Sequence, residues 1–131
     1  MQQTWKMVAN LAPALALTLA LAALPGAAHA DGFSTPPGMR CEDAVVVRYH
    51  AGPRWSEVER EIGDHLEFMR AQMRAGRILF AGPLYESGGL EIHRGSDLSA
   101  VAALVRTDPL VARDVVTISL ERFWMCRPAG R

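Results

Sequence analysis

Three histidines beyond the first thirty residues, His50, His65 and His93, are the side chains that could move a proton near neutral pH. Each could also ligate a metal. No His-x-x-x-His spacing occurs, so a three-histidine centre would need the fold to converge distant residues. Haem is also a weak reading, since the chain has no Cys-x-x-Cys-His. A haem or metal binder therefore stays a remote alternative, and no cofactor is expected. There is no Gly-x-Ser-x-Gly, no phosphate-binding glycine loop and no Cys-x-x-Cys. His65 differs from the other two by its setting. It follows Ile62 by three residues and precedes Met69 by four, so it sits on the rim of an apolar helical face. Asp108 precedes Pro109, a pairing fully explained as a helix N-cap followed by a first-turn proline. Arg48 offers a guanidinium that could hold an anionic substrate.

The elements that carry these residues can be read in order. Residues 44–50, Ala-Val-Val-Val-Arg-Tyr-His, form a short strand, apolar on both faces at its start and therefore central. Ala51-Gly52-Pro53 turns the chain. Ser56 and Glu59 have the spacing of a capping box, predicting a helix that starts there. Val58, Ile62, Leu66, Met69 and Met73 recur at three or four residues and predict its buried face. Gly76 is its left-handed stop. Residues 77–81 form a second strand, ended by Gly82-Pro83, and residues 90–94 alternate as a third. Asp97 opens a second helix with Leu98, Val101, Ala102 and Val105 on one side, and a further helical turn runs to Ala112. Residues 114–125 form the last strand, with Val116, Ile118 and Leu120 on one face. Trp55 and Trp124 are expected in the core or an interface.

The order βαββαβ is the split βαβ, ferredoxin-like arrangement, an α+β fold with a four-stranded antiparallel sheet. There the last strand lies antiparallel beside the first. The open face of such a sheet, half apolar here, invites a second copy, so a homodimer is expected.

Residues 1–30 read as a signal peptide. They carry one cation, Lys6, an apolar run from Leu11 to Leu24, and Ala28-His29-Ala30 as a cleavage signal. The run is about 14 residues, against the roughly 20 that span a bilayer. The expected layout is a signal peptide over 1–30, an irregular arm over 31–43, one domain over 44–126 and a tail over 127–131. The mature protein would then be periplasmic or secreted, with no membrane attachment after cleavage. Without Lys6, the arginines fall one short of the 14 carboxylates. That balance, with no basic stripe, excludes a nucleic-acid partner. Export also decides how the cysteines read. Cys41 precedes the first strand and Cys126 follows the last, and in an oxidising compartment such a pair is expected to be a disulfide.

His65 on its helix, Gly76 to Pro83 (Gly-Arg-Ile-Leu-Phe-Ala-Gly-Pro) and Asp108-Pro109 before the last strand together resemble the YciI-like, or YCII-related, family. The likeness spans about residues 44–125. It implies a dimeric α/β barrel built on a ferredoxin-like protomer. It also implies an active-site pair, here His65 and Asp108. Gly82 and Pro83 are expected, with Arg48, to bind the substrate. The chemistry implied is acid/base isomerisation or elimination on a small organic acid or phenol. A carboxylate on one imidazole nitrogen fixes the tautomer and stabilises the imidazolium, and positioned acid–base catalysis contributes roughly 10²–10⁴-fold. The chain departs from the family in its leader, its cysteine pair and its short loop between the second and third strands. If the pair is structural instead, the expectation becomes a non-catalytic binding or interaction module.

Overall fold

A computed structural model describes residues 32–130. The signal peptide expected over residues 1–30 lies outside them. In chain order the elements are strand β1 (Met39–Ala51), a 3₁₀ turn (Trp55–Glu57), helix α1 (Val58–Arg74), strands β2 (Ile78–Pro83) and β3 (Gly89–Arg94), helices α2 (Leu98–Val105) and α3 (Pro109–Ala112), and strand β4 (Val116–Pro128). The four strands form one antiparallel sheet in the order β2-β3-β1-β4, the ferredoxin-like topology. β1 is central, as its β-branched run requires. Among the described residues no helix is long and apolar enough to cross a membrane.

β1 begins at Met39, so residues 39–43 belong to the sheet and the irregular arm is shorter than expected. The cause lies across the ladder, where β4 continues to Pro128 and pairs with β1 over its whole length. Cys41 faces Cys126 in that register and the two form a disulfide. The bond closes a loop with a sequence separation of 85 residues. Constraining that loop in the unfolded chain stabilises the fold by about 4–5 kcal/mol in the chain-entropy picture.

The core lies between the sheet and the two short helices. Alternation along β1 sends Val45, Val47 and Tyr49 inward, where they meet Val101 and Val105 of α2, Leu110 of α3, and Val115 and Val116 at the start of β4. Each fully buried aliphatic side chain contributes about 1.5–3 kcal/mol.

Helix α1 differs from its sequence reading at its start and along its apolar face. No capping box forms: Glu57 is the N-cap residue and makes no side-chain cap bond. The chain instead enters through the 3₁₀ turn, whose Glu57 N–H donates to the Arg54 carbonyl (2.9 Å) while the Glu57 carboxylate receives Arg54 Nε at 3.0 Å and also Arg60. The C-terminus matches the expectation. Gly76 is left-handed (φ 70°), and the Gly76 and Arg77 amides donate to the Met73 and Gln72 carbonyls in a Schellman stop. The apolar stripe is only half-buried. Met73, expected in the core, is 40% exposed, and Gln72 is the buried residue of the helix, held by Arg77 Nε at 2.7 Å. The stripe stands off the sheet, and the gap between them is a cleft.

Candidate active site

The cleft has a volume of about 400 Å³ and lies between α1, the ends of β2 and β3, and the start of β4. Val58, Ile62, Leu66 and Met69 of α1 form one wall, with Trp55 at its entry. Gly82, Pro83, Gly88 and Gly89 form the opposite lip. Trp55 is therefore a cleft residue that is also partly packed on the core. Gly88 has a specific reason to be glycine. Its φ is +71°, and a Cβ there would lie 1.9 Å from the Tyr49 carbonyl oxygen. Only glycine lets the lip close onto β1.

His65 reaches into this cleft from the margin of the α1 stripe. Its Nδ1 lies 2.7 Å from Asp108 Oδ2. A carboxylate only accepts, so Nδ1–H donates, and in the neutral imidazole the lone pair sits on Nε2. Asp108 is fully buried, and it also caps a helix: its Oδ1 accepts the Leu110 amide at 2.9 Å. One oxygen of Asp108 thus caps α3 while the other contacts His65. Burial lowers the His65 pKa, but the hydrogen bond and charge of Asp108, with the charge of Glu91, outweigh it and raise the value above its ordinary 6.5.

Behind the pair lies a network that the sequence reading missed. The Tyr49 hydroxyl is 3.2 Å from Asp108 Oδ2 and 3.0 Å from Glu91 Oε2. His93 Nε2–H donates to that same Glu91 oxygen at 2.7 Å. Burial, and then the neighbouring Glu91 and Asp108 carboxylates, push the Tyr49 pKa far up, so it stays a neutral phenol. Its ring meets the His65 ring edge-on, with centroids 5.5 Å apart. Glu91 and His93 pair across the sheet with Val47 and Val45, so both point to the helix side. The alternation of β3 was visible in the sequence. That its charged face is the buried one follows only from the register.

The other candidates fall elsewhere. Arg48 is exposed, because alternation places it on the outward face between inward Val47 and Tyr49, and it is not brought to the cleft. His50 is on the same outward face, with Nε2 bonded to Ser119 Oγ at 2.9 Å, so His50, His65 and His93 do not converge. Gly82 and Pro83 do line the cleft. One donor atom each of His65, Glu91 and Asp108 lie within 4.8 Å of one another, a mixed nitrogen and oxygen set that chemically suits a divalent cation. Each is already engaged, Asp108 Oδ2 by His65 and Tyr49, and Glu91 Oε2 by Tyr49 and His93.

No protein-family profile matches the chain. No curated protein matches it either. Among solved structures it is similar in fold to 5-chloro-2-hydroxyhydroquinone dehydrochlorinase from Burkholderia phenoliruptrix AC1100, in complex with 2,5-dihydroxybenzoquinone. The two share 15% identity at a TM-score of 0.51, over 62% of this chain and 92% of that one. The likeness shows a shared α+β fold with a four-stranded antiparallel sheet.

Proposed function

We propose that this is an exported, YciI-like acid/base protein that binds a small phenolic molecule and eliminates from it or isomerises it. His65 is the base and Asp108 its partner. The observation that carries the reading is the 2.7 Å contact between His65 Nδ1 and buried Asp108 on the wall of an open apolar cleft. Nε2 takes a proton from a substrate O–H or from a C–H next to a carbonyl. The imidazolium formed is stabilised by Asp108, and the proton is returned to another atom or lost as the leaving group departs.

The lining favours a phenol over an organic acid. It contains no arginine or lysine, and its carboxylate is Glu91. An anionic substrate would meet that carboxylate, with Asp108 close behind His65, and no guanidinium or ammonium in the lining to balance it. The similar structure's hydroquinone-type substrate and quinone ligand have the same chemical character. The open cleft and the carboxylate partner of His65 favour this reading over a purely structural module. The disulfide suits an oxidising compartment, in line with a leader over residues 1–30. The open sheet face, where Phe80 is 57% and Phe123 39% exposed, supports a homodimer.

The test is a titration of the folded protein with a panel of phenols and phenolic acids, followed by NMR at the His65 ring and the Asp108 amide. The expected result is a joint shift of both signals with phenols, weaker with the acids. Silence of His65 across the panel contradicts the reading.

A further inference from the structure

Glu91 is a buried ionisable group that the acid/base pair does not use. It is 2% exposed and lines the cleft. Its two oxygens have unequal lives. Oε2 receives both His93 Nε2–H, at 2.7 Å, and the Tyr49 hydroxyl, at 3.0 Å. Oε1 is buried with no hydrogen-bond partner. A buried carboxylate oxygen left unpaired is costly, on the scale of a lost charged hydrogen bond, and calls for a partner. Two anchors hold Oε2, so the carboxylate cannot drift away to find one elsewhere. Glu91 lines the cleft and the terminal torsion of glutamate is soft, so Oε1 can meet a donor there with some adjustment of the bonds at Oε2. The occupant of the cleft can therefore supply the missing donor.

We propose that Glu91 is a second ligand-binding residue, with Oε1 accepting a hydrogen bond from a second hydroxyl of the bound molecule. This rests on the phenol reading above and narrows it. The ligand is a compact ring with two hydroxyl donors, one presented to His65 Nε2 and the other to Glu91 Oε1. The apolar wall of Ile62, Leu66 and Met69 takes the ring itself. A divalent cation held by His65, Glu91 and Asp108 is the competing occupant. It is less favoured because Tyr49, His65 and His93 already fill the inward-facing oxygens, leaving Oε1 as the free position.

The test compares phenol with catechol, resorcinol and hydroquinone, and each diol with its mono-methyl ether, by NMR titration of the folded protein. At least one diol should bind about tenfold or more tightly than both phenol and its own methyl ether, the scale of one hydrogen bond to a charged acceptor. That surplus should vanish in Glu91→Leu, in which each diol should bind no more tightly than its own mono-methyl ether. The methyl-ether comparison needs no variant, so it decides the matter even if Glu91→Leu does not fold. If phenol binds but no diol gains over it, the Glu91 assignment falls and the His65 reading stands. If no ring compound binds at all, the His65 reading falls first. If Zn²⁺ or Mn²⁺ binds at micromolar concentration and Glu91→Leu abolishes it, the cleft is a metal site and the diol assignment is overturned.

Discussion

Asp108 Oδ2 lies 2.7 Å from His65 Nδ1, while the other oxygen of the same carboxylate caps α3 through the Leu110 amide at 2.9 Å. One buried side chain therefore ties the position of the His65 ring to the fold. The cap fixes where the carboxylate stands, and the histidine on α1 is aimed by it. Because α1 leaves its apolar stripe half-buried, the imidazole is presented to an open cleft instead of a closed core.

His65→Ala should leave the domain folded. The side chain is 13% exposed at the cleft, and Asp108 keeps Tyr49 and the Leu110 amide as partners. The expected loss is about 1–3 kcal/mol, the scale of one hydrogen bond to a charged group. Chemical denaturation should show this modest loss, and the NMR titration with phenols should show no binding-linked shift at the Asp108 amide.

Tyr49→Phe removes the one hydroxyl shared by two buried carboxylates, at 3.0 and 3.2 Å. Glu91 and Asp108 then face each other with no hydrogen between them. Loss of stability should be about 1–3 kcal/mol, since the ring is kept and only the buried polar partner goes. Urea denaturation at neutral pH measures it.

The raised pKa of His65 also sets a pH dependence. Below the ordinary value of 6.5 the imidazole is protonated in both the folded and unfolded chain, and its contribution to stability is fully present. As pH rises through the higher folded value, that contribution is lost. Stability should thus fall on the alkaline side of 6.5, and the slope should disappear in His65→Ala. Thermal unfolding of both proteins from pH 5 to 9 (a span that brackets an ordinary histidine) tests the sign.

Gly88→Ala should damage the fold and the lip of the cleft together. The substitution combines a left-handed φ of +71° with a Cβ 1.9 Å from the Tyr49 carbonyl oxygen. Left-handed strain alone costs roughly 1–3 kcal/mol, and the backbone clash adds to it. A drop in melting temperature, with displaced Tyr49 and Gly89 amide signals, is the expected result.

The topology, the central β1, the Gly76 stop, the Asp108 cap and the cysteine pair were legible because each follows from local chemistry or strand order. What escaped the sequence depended on phase and register. Arg48 sits one residue from Tyr49, and only the facing of β1 decides which of them meets the cleft. Glu91 and His93 alternate with Ile92, and a pattern rule assigns the apolar side of such a strand inward. Here the ladder to Val45 and Val47 turns the polar side in. The Ser56 capping box failed because Arg54 and Arg60 draw the neighbouring Glu57 carboxylate into ion pairs as the chain winds through a 3₁₀ turn.

The most direct test of the His65–Asp108 pair is an NMR pH titration of the His65 ring in the native protein and in Asp108→Asn. The native midpoint should lie above 6.5, because the carboxylate outweighs burial. In Asp108→Asn that charge is gone and burial remains, so the midpoint should fall below the native one. A native midpoint at or below 6.5, or one that Asp108→Asn leaves unchanged, would contradict a working acid/base pair.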